Sequence, residues 1–253
     1  MVPLSRPLIA VLLALAASPA PALAQAPEPG APDARAIEEI VRRYLLENPE
    51  IIAEAIERLR AKQAAAQEAE AKKAVVARAE AIFRNPASPA AGDPEGDVTI
   101  VEFFDHRCPV CKRTHPVLQT LLKSDARLRR VYKVWPILGP DSVVAARAAL
   151  AADRQGKFVP FTDAMMEADG NLDADRVFAI AKEIGLDLKS LERDMRRPEI
   201  DREIKSNFEL ADALAIRGTP SFVIGEQVVY GTRDLAELRA FVARARESAK
   251  AKR

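Results

Sequence analysis

The chain has 253 residues, enough for one large domain or for one domain with an appendage. Its 38 basic and 37 acidic residues give a formal charge of +1, and aromatic residues make up 5% of the sequence, which argues against a general phosphate-backbone binder and against a stacking platform for single-stranded nucleic acid. Two cysteines exclude a framework of several disulfides and a four-cysteine zinc site.

The first 24 residues have the pattern of a secretory signal peptide. Arg6 supplies a positive start, the apolar run of residues 8–17 is too short to span a bilayer, and residues 22–24 (ALA) offer a small-residue cleavage site. We therefore expect an exported mature chain that begins near Gln25, and this pattern suits a bacterial periplasm. The alternative is an uncleaved membrane anchor.

Residues 25–84 are predicted to form a helical arm. A Pro-rich leader (25–33) precedes a helix over residues 34–47, and Asn48-Pro49 breaks that helix before a second one begins. The spacing of apolar residues predicts one stripe along both helices, made of Ile37, Ile40, Val41, Tyr44, Leu45, Ile52, Ile56 and Leu59. The stripe fades over residues 61–74, which favours a spacer over a docked face.

An isolated arm of this kind cannot bury its own apolar stripe. We therefore expect it to be an oligomerisation stalk, in which stripes from several copies pack together through residues 34–60. The alternative is a helical pair folded back onto the body of the same chain. The strict heptad pattern of a long coiled coil is missing.

The main domain is predicted to occupy residues 85–253, after a junction rich in Pro and Gly at residues 84–97. The order of elements predicts an α/β fold with a helical insertion over about residues 139–217. The predicted elements are a strand at 98–104, a helix at 108–123, a strand at 129–134, the inserted helices, a β-hairpin at 221–224 and 227–230, and a helix at 235–245.

Both cysteines lie in the motif Cys108-Pro109-Val110-Cys111, between a predicted strand and a predicted helix. At a helix N-terminus, free N–H groups and the helix dipole favour a thiolate at Cys108. Cys111 lies one turn further on, close enough to resolve a mixed disulfide. The motif therefore predicts a redox-active pair.

Other functions of this pair remain open from the motif alone. A structural disulfide would close almost no loop and would therefore stabilise the fold little. Lys112 stands where a c-type haem site needs histidine. Cys108, Cys111 and His115 could face one side of a helix and bind a soft ion such as Cu(I), which is the metal-site alternative.

Two further residues near the motif are candidates for catalysis. His106 is either an imidazolium that stabilises the Cys108 thiolate or a solvated loop residue. Glu102 lies inside the apolar strand, where it could relay a proton to or from Cys111, or it faces solvent at a strand edge. His115 is expected to be a partly exposed helix residue.

A second motif, Gly218-Thr219-Pro220-Ser221, immediately precedes the first strand of the predicted hairpin. Proline restricts Thr219 to an extended conformation and removes one donor from the ladder. If the Thr219–Pro220 bond is cis, the Thr219 backbone is free to pair with an extended peptide. The alternative is an ordinary trans proline at the start of a strand.

The ordered set VEFFDHRCPVCKR, GTPSFVIG and a closing helix, over residues 97–245, resembles the DsbA-like family of the thioredoxin fold. The arm sequence IEEIVRRYLLENPEIIAEAIERL resembles the N-terminal segment of the suppressor-of-copper-sensitivity protein C (ScsC) type within that family. The resemblance implies a periplasmic thiol–disulfide oxidoreductase without a bound cofactor. Its partners would be exported proteins with thiols or disulfides and a membrane redox partner.

The resemblance also implies site residues. Cys108 would be the exposed nucleophile, Cys111 the resolving thiol of a Cys108–Cys111 redox disulfide, and Pro220 a cis-proline after Thr219. Glu102 matches the buried acid of the family by its place in the strand. Val110 departs from the family pattern, because it supplies neither a hydrogen bond nor a charge to a thiolate.

The arm bears on which of two functions, disulfide isomerase or dithiol oxidase, the chain has within this class. An isomerase gains from several active sites held around one substrate, because their effective concentration increases. The sequence therefore favours an oligomeric disulfide isomerase or reductase. A monomeric dithiol oxidase is one alternative, and a copper-handling protein using Cys108, Cys111 and His115 is the other.

Overall fold

The computed structural model describes residues 33–251, and its contacts divide the chain into two compact units, one ending at Arg58 and the other beginning at Leu59. The predicted signal peptide (residues 1–24) and the predicted leader up to residue 32 lie outside the described residues. Within residues 33–251, no helix combines the length and the apolar character that crossing a membrane requires.

Helix α1 (Ala34–Glu47) confirms the first predicted helix of the arm. It begins where the Asp33 carboxylate accepts a hydrogen bond from the Arg35 N–H at 3.2 Å, and it ends at Asn48. None of its residues is buried. Six residues of the predicted apolar stripe in this unit are each 42–56% exposed: Ile37, Ile40, Val41, Tyr44, Ile52 and Ile56.

Helix α2 (Glu50–Ala77) runs on into the second unit, where its last turns pack against the main domain. Ala71 and Val75 lie one turn apart and are both buried, and Lys72 Nζ is 3.0 Å from Glu226 Oε2. The expectation of an undocked spacer over residues 61–74 is therefore wrong at its C-terminal end. Ala71 and Val75 contact the main domain at this end of the helix without forming an apolar stripe in the sequence.

The main domain contains one five-stranded mixed sheet. The strands are β1 (Ala90–Gly92), β2 (Val98–Phe104), β3 (Leu128–Val134), β4 (Ser221–Ile224) and β5 (Gln227–Tyr230). Their order in the sheet is β1-β3-β2-β4-β5, in which β2 and β3 are parallel and the other neighbours are antiparallel. The sequence did not predict β1, which pairs with the edge of β3.

Helices follow the predicted order, including a block of five inserted between β3 and β4. The five are α5 (Pro140–Asp153), α6 (Phe158–Glu167), α7 (Ala174–Glu183), α8 (Leu188–Asp194) and α9 (Pro198–Ala213). The remaining helices are α3 (Ala79–Phe83), α4 (Pro109–Ser124) between β2 and β3, and α10 (Leu235–Lys250). The predicted α/β fold with a helical insertion is thus confirmed.

Helix α5 is the central helix of the insertion and contacts the other four helices of the block. Its own side chains are small on nearly every face. Six of its alanines are buried, which lets α6, α7, α8 and α9 approach closely. This apolar core is continuous with Phe104, Cys108 and Cys111. The insertion therefore packs directly against the end of β2 and the start of α4, where both cysteines lie.

Candidate active site

Cys108 occupies the N-cap position of α4, directly after the turn that follows β2. Pro109 takes the first helical position, where its missing N–H costs nothing. The Cys111 N–H lies 3.5 Å from the Cys108 sulfur and donates to it. Both cysteines are free and buried, with Cys108 6% exposed and Cys111 fully covered. The structure therefore describes the dithiol form, in which Cys108 is slightly exposed and Cys111 is not exposed at all.

The two sulfurs have opposite acidities. A hydrogen bond from the Cys111 thiol is the main cause that lowers the pKa of Cys108 to about 5, and bonds from Thr219 and from the backbone N–H groups of Val110 and Cys111 add to it. Burial opposes this shift. The same thiol–thiolate bond, then burial and the Glu102 charge, raise the pKa of Cys111. At neutral pH, Cys108 is a thiolate and Cys111 is a thiol.

This acidity predicts a pH-dependent stability of the dithiol form. The pKa of Cys108 is about 5 in the folded chain against 9.0 for an ordinary cysteine, so the unfolded chain binds more protons between these pH values. The free energy of unfolding should therefore increase with pH from about 5 to 9, by about 1–2 kcal/mol at pH 7 because solvent at the mouth of the site screens part of the shift, and this gain is lost as pH falls through 5. Urea unfolding at several pH values measures it.

The C108S variant is the control for this prediction, because it keeps every other titrating group. The unfolding free energy of reduced wild type minus that of C108S should therefore increase with pH from about 5 to 9, because the other titrating groups, such as the buried His106, contribute equally to both proteins. If reduced wild type and C108S give parallel pH profiles, the folded thiol has an ordinary acidity.

The Thr219–Pro220 peptide bond is cis, which matches the resemblance. It brings the Thr219 carbonyl oxygen to 3.5 Å from the Cys108 sulfur. Ser221 opens β4, and its hydroxyl donates to the Gly218 carbonyl at 2.7 Å, which closes the turn before the strand. The second sequence motif therefore lies directly against the first.

Glu102 lies in the middle of the sheet and is completely buried, so a solvent-facing edge residue is excluded. Its Oε2 accepts two hydrogen bonds from Arg130, one of them from Nε at 3.1 Å. Arg130 is equally buried and lies 4.4 Å from the centre of the Tyr132 ring. Glu102 Oε1 has no hydrogen-bond partner in the described part of the chain. The negative charge of Glu102 acts on Cys111 and disfavours a second thiolate.

Both interpretations of His106 were wrong. The ring is buried, with its edge against Phe104 at a centroid distance of 4.8 Å and with Nε2 3.3 Å from the Thr162 hydroxyl of α6. Burial, with smaller effects of His115 and Lys112, lowers the pKa of His106 to about 3. His106 is therefore neutral at physiological pH and is not a cation for the thiolate. The insertion covers this loop residue.

His115 is also buried, contrary to expectation. Its Nε2 lies 3.0 Å from Asp163 Oδ1 and 3.1 Å from the side-chain nitrogen of Gln119. Over residues 33–251, no group of three His, Cys, Asp or Glu side chains is arranged to hold a metal ion. The alternative site of Cys108, Cys111 and His115 is therefore not formed. Nε2 of His115 is paired with Asp163 of α6 instead.

Sequence reasoning missed two residues around the cysteines. Arg130 was visible as a charge inside an apolar strand, a signal of a buried partner that the spacing alone could not identify. Asp105 lay inside the quoted motif but gave no signal, because a short polar residue after a strand is usually a solvated turn.

The combination of cysteines at a helix start and a facing cis-proline has counterparts among known proteins. A family model described as thioredoxin matches residues 84–244. The chain belongs to the thioredoxin family. A second model, the N-terminal domain of the copper resistance protein ScsC, matches residues 33–66, which confirms the resemblance of the arm.

Solved structures extend the likeness of this thioredoxin-family chain. A thioredoxin-like oxidoreductase from Silicibacter pomeroyi is 45% identical, with a TM-score of 0.66 over 66% of this chain and 97% of that chain. ScsC of Proteus mirabilis in a compact conformation is 28% identical, with a TM-score of 0.64 over 87% of this chain and all of the other. The structural neighbours thus include ScsC, and they also include a DsbA-type thiol–disulfide exchange protein.

Several curated relatives are longer proteins. The Na(+)/H(+) antiporter NhaA 1 of Salinispora arenicola is 29% identical over 153 residues, which are 60% of this chain and 24% of that protein. The chain therefore spans about a quarter of the length of the curated relatives that it matches first.

Proposed function

We propose that the chain is a thiol–disulfide oxidoreductase that acts on exported proteins in the periplasm, as an oligomeric disulfide isomerase or reductase. The observation that carries the proposal is the pairing of a Cys108 thiolate, with a pKa of about 5, and a protonated Cys111 that donates to it. A thiolate at neutral pH is the nucleophile of disulfide exchange.

The chemistry follows from the two acidities. The Cys108 thiolate attacks one sulfur of a substrate disulfide, forms a mixed disulfide and releases the other substrate sulfur as a thiolate. In isomerisation, that thiolate attacks a different substrate sulfur, and the substrate finally displaces Cys108. In reduction, Cys111 loses its proton and attacks the Cys108 sulfur, which releases the second substrate thiolate and leaves a Cys108–Cys111 disulfide.

Three neighbouring residues support these steps. The carbonyl of Thr219, held by the cis bond to Pro220, lies beside Cys108 and suits an extended substrate that adds a strand there. Glu102 is the buried carboxylate that acts on Cys111, and we assign it the proton that Cys111 loses. His106 is neutral and has no charge to contribute to the thiolate.

The exposed stripe of the arm supports isomerisation. Six large apolar side chains of one short segment are about half exposed, which is typical of a surface that is covered in an assembly. Several catalytic domains joined through this stripe would hold more than one Cys108 near a substrate. The match of residues 33–66 to the ScsC N-terminal domain agrees with this role.

Location and redox partner complete the proposal. The predicted signal peptide supports export, and a structural neighbour from Salmonella enterica is described as a periplasmic thioredoxin-like protein. An isomerase has to be kept reduced, so a membrane redox partner would supply electrons to the Cys108–Cys111 disulfide.

A monomeric dithiol oxidase is the second candidate, and the acidity of Cys108 favours it. A thiolate of low pKa leaves easily and stabilises the reduced form, which makes the disulfide oxidising. Recovery of active ribonuclease from its scrambled form separates the two. If the full-length protein oxidises dithiols but recovers no active ribonuclease, the isomerase is excluded and the oxidase remains.

A stripe variant tests the link between assembly and isomerisation. We expect I40E/Y44E to lower the mass measured by light scattering to that of a monomer, because two buried carboxylates in an apolar interface are costly. Ribonuclease isomerisation should fall severalfold while oxidation of a dithiol peptide is unchanged.

The matched control is R35Q/R42Q, which changes the charge of α1 by the same amount outside the stripe. It should keep the mass and the isomerase activity of the wild type. A monomeric wild type, or an I40E/Y44E variant with unchanged mass, would remove the stalk from the proposal.

A further inference from the structure

Asp105 has the most densely bonded side chain of the turn between β2 and α4. It is 1% exposed, and its carboxylate accepts four hydrogen bonds. Oδ1 accepts from the Arg107 N–H at 2.8 Å and from the Ser142 hydroxyl at 2.9 Å. Oδ2 accepts from the N–H groups of Ile137 at 2.9 Å and Leu138 at 3.1 Å. All four donors are neutral, so directed hydrogen bonds compensate the buried charge.

The backbone of Asp105 reaches both cysteines. Its carbonyl accepts the Cys108 N–H at 3.0 Å, and its own N–H hydrogen-bonds Cys111. One residue therefore connects the turn with the nucleophile, the buried thiol, the loop between β3 and α5, and the first turn of α5. These segments meet only because β2 and β3 are parallel and end at the same edge of the sheet.

We infer that Asp105 is a positioning residue for disulfide exchange: its carboxylate anchors the turn that carries Cys108 to the β3–α5 loop and to α5, and so holds both sulfurs in their working geometry. The inference rests on the proposed function, because it assigns Asp105 to that same site. It adds a residue that never touches substrate and that acts through the backbone of the two cysteines.

The direction in which D105N changes the pKa of Cys108 distinguishes a positioning role of Asp105 from an effect of its charge. D105N keeps an oxygen for Arg107 and Ser142, but it places an amide against the N–H groups of Ile137 and Leu138. Removing a negative charge by itself lowers the pKa of a nearby thiol. Loosening the turn has the opposite effect, because the Cys108 thiolate depends on correctly placed donors. Positioning therefore predicts that D105N raises the pKa of Cys108.

The experiment uses the full chain with three variants. D105N is the test, S142A removes one donor to the same carboxylate, and D187N is the control, since the Asp187 carboxylate also accepts a backbone N–H, as the exposed N-cap of α8, and lies outside the site. Iodoacetamide alkylation against pH gives the pKa of Cys108, equilibration with glutathione gives the redox equilibrium constant, and urea gives the stability of each redox form.

For D105N we expect a higher pKa of Cys108 and a shift of about tenfold in the glutathione equilibrium towards the disulfide, the size of one lost hydrogen bond to a charged group. D187N should change neither quantity, and it should keep the stability of the wild type, because asparagine caps a helix about as well as aspartate. If D105N destabilises both redox forms equally and leaves the Cys108 pKa and the equilibrium constant unchanged, Asp105 is only a structural residue. If D105N lowers the pKa of Cys108, the effect comes from the lost charge and not from position.

If D105N does not fold, S142A decides, with an expected shift of about two- to threefold in the same direction. An unchanged equilibrium constant in S142A then overturns the inference. Failure of the proposed function has a different signature: wild type itself would show an ordinary alkylation profile and no exchange with protein substrates.

Discussion

Replacing Cys108 with serine is expected to abolish disulfide exchange, whereas replacing Cys111 with serine is expected to trap it halfway. A serine hydroxyl remains protonated at neutral pH and does not attack a disulfide, so C108S should fall to the uncatalysed rate. C111S keeps the attacking thiolate but lacks the thiol that resolves the intermediate. Mass spectrometry without reductant should therefore find C111S joined to substrate.

A third variant isolates the contribution of Cys111 to the acidity of Cys108. C111A removes the hydrogen bond that is the largest cause of the low pKa, so the alkylation midpoint of Cys108 should increase by about one to two units. All three variants should fold, because each replacement is nearly isosteric or smaller. Full turnover by C111S would show that Cys111 is not the resolving thiol.

Removing the positive partner of Glu102 is expected to have the largest effect on stability. Arg130 and Glu102 are 1% and 0% exposed, so R130M leaves a buried carboxylate without its counter-ion. Losing one partner of a buried ion pair costs about 3–5 kcal/mol. Removing both partners in E102M/R130M should recover most of this loss, because no unpaired charge remains. Urea unfolding of the reduced protein measures each value.

Arg127 provides the matched control, because it forms a surface ion pair. Its guanidinium is 3.2 Å from Asp97, with the side chain 68% exposed, so R127M should cost less than about 1 kcal/mol. If R130M and E102M lose stability additively in the double variant, the two charges do not interact in the folded protein.

Elements with a local signature were predicted well. The β-branched run of β2 and the two short runs around Gly225-Glu226 gave the correct strands, because side-chain shape and turn chemistry act over a few neighbouring residues. Strand β1 (AAG) was missed for the same reason: three small residues carry no strand propensity, and the edge of β3 alone makes them a strand.

Predictions about charge and exposure were less successful. His106 and His115 were expected at or near the surface, and both are buried because α6 contributes Thr162 and Asp163 to cover them. These partners are 56 and 48 residues away along the chain, too far for any local pattern to connect. The packing of the C-terminal end of α2 was missed because its partners, such as Glu226, are also far away along the chain.

The amino-acid sequence alone determined the order of helices and strands, the place of both cysteines at the start of a helix, and the Thr219-Pro220 turn before a strand, because spacing and propensity are properties of short segments. The tertiary structure decided which charges are buried and what pairs with them. Glu102 meets Arg130 across two parallel strands, and Asp105 meets the β3–α5 loop at their common end. Such contacts depend on which strands become neighbours, and only the folded chain makes that choice.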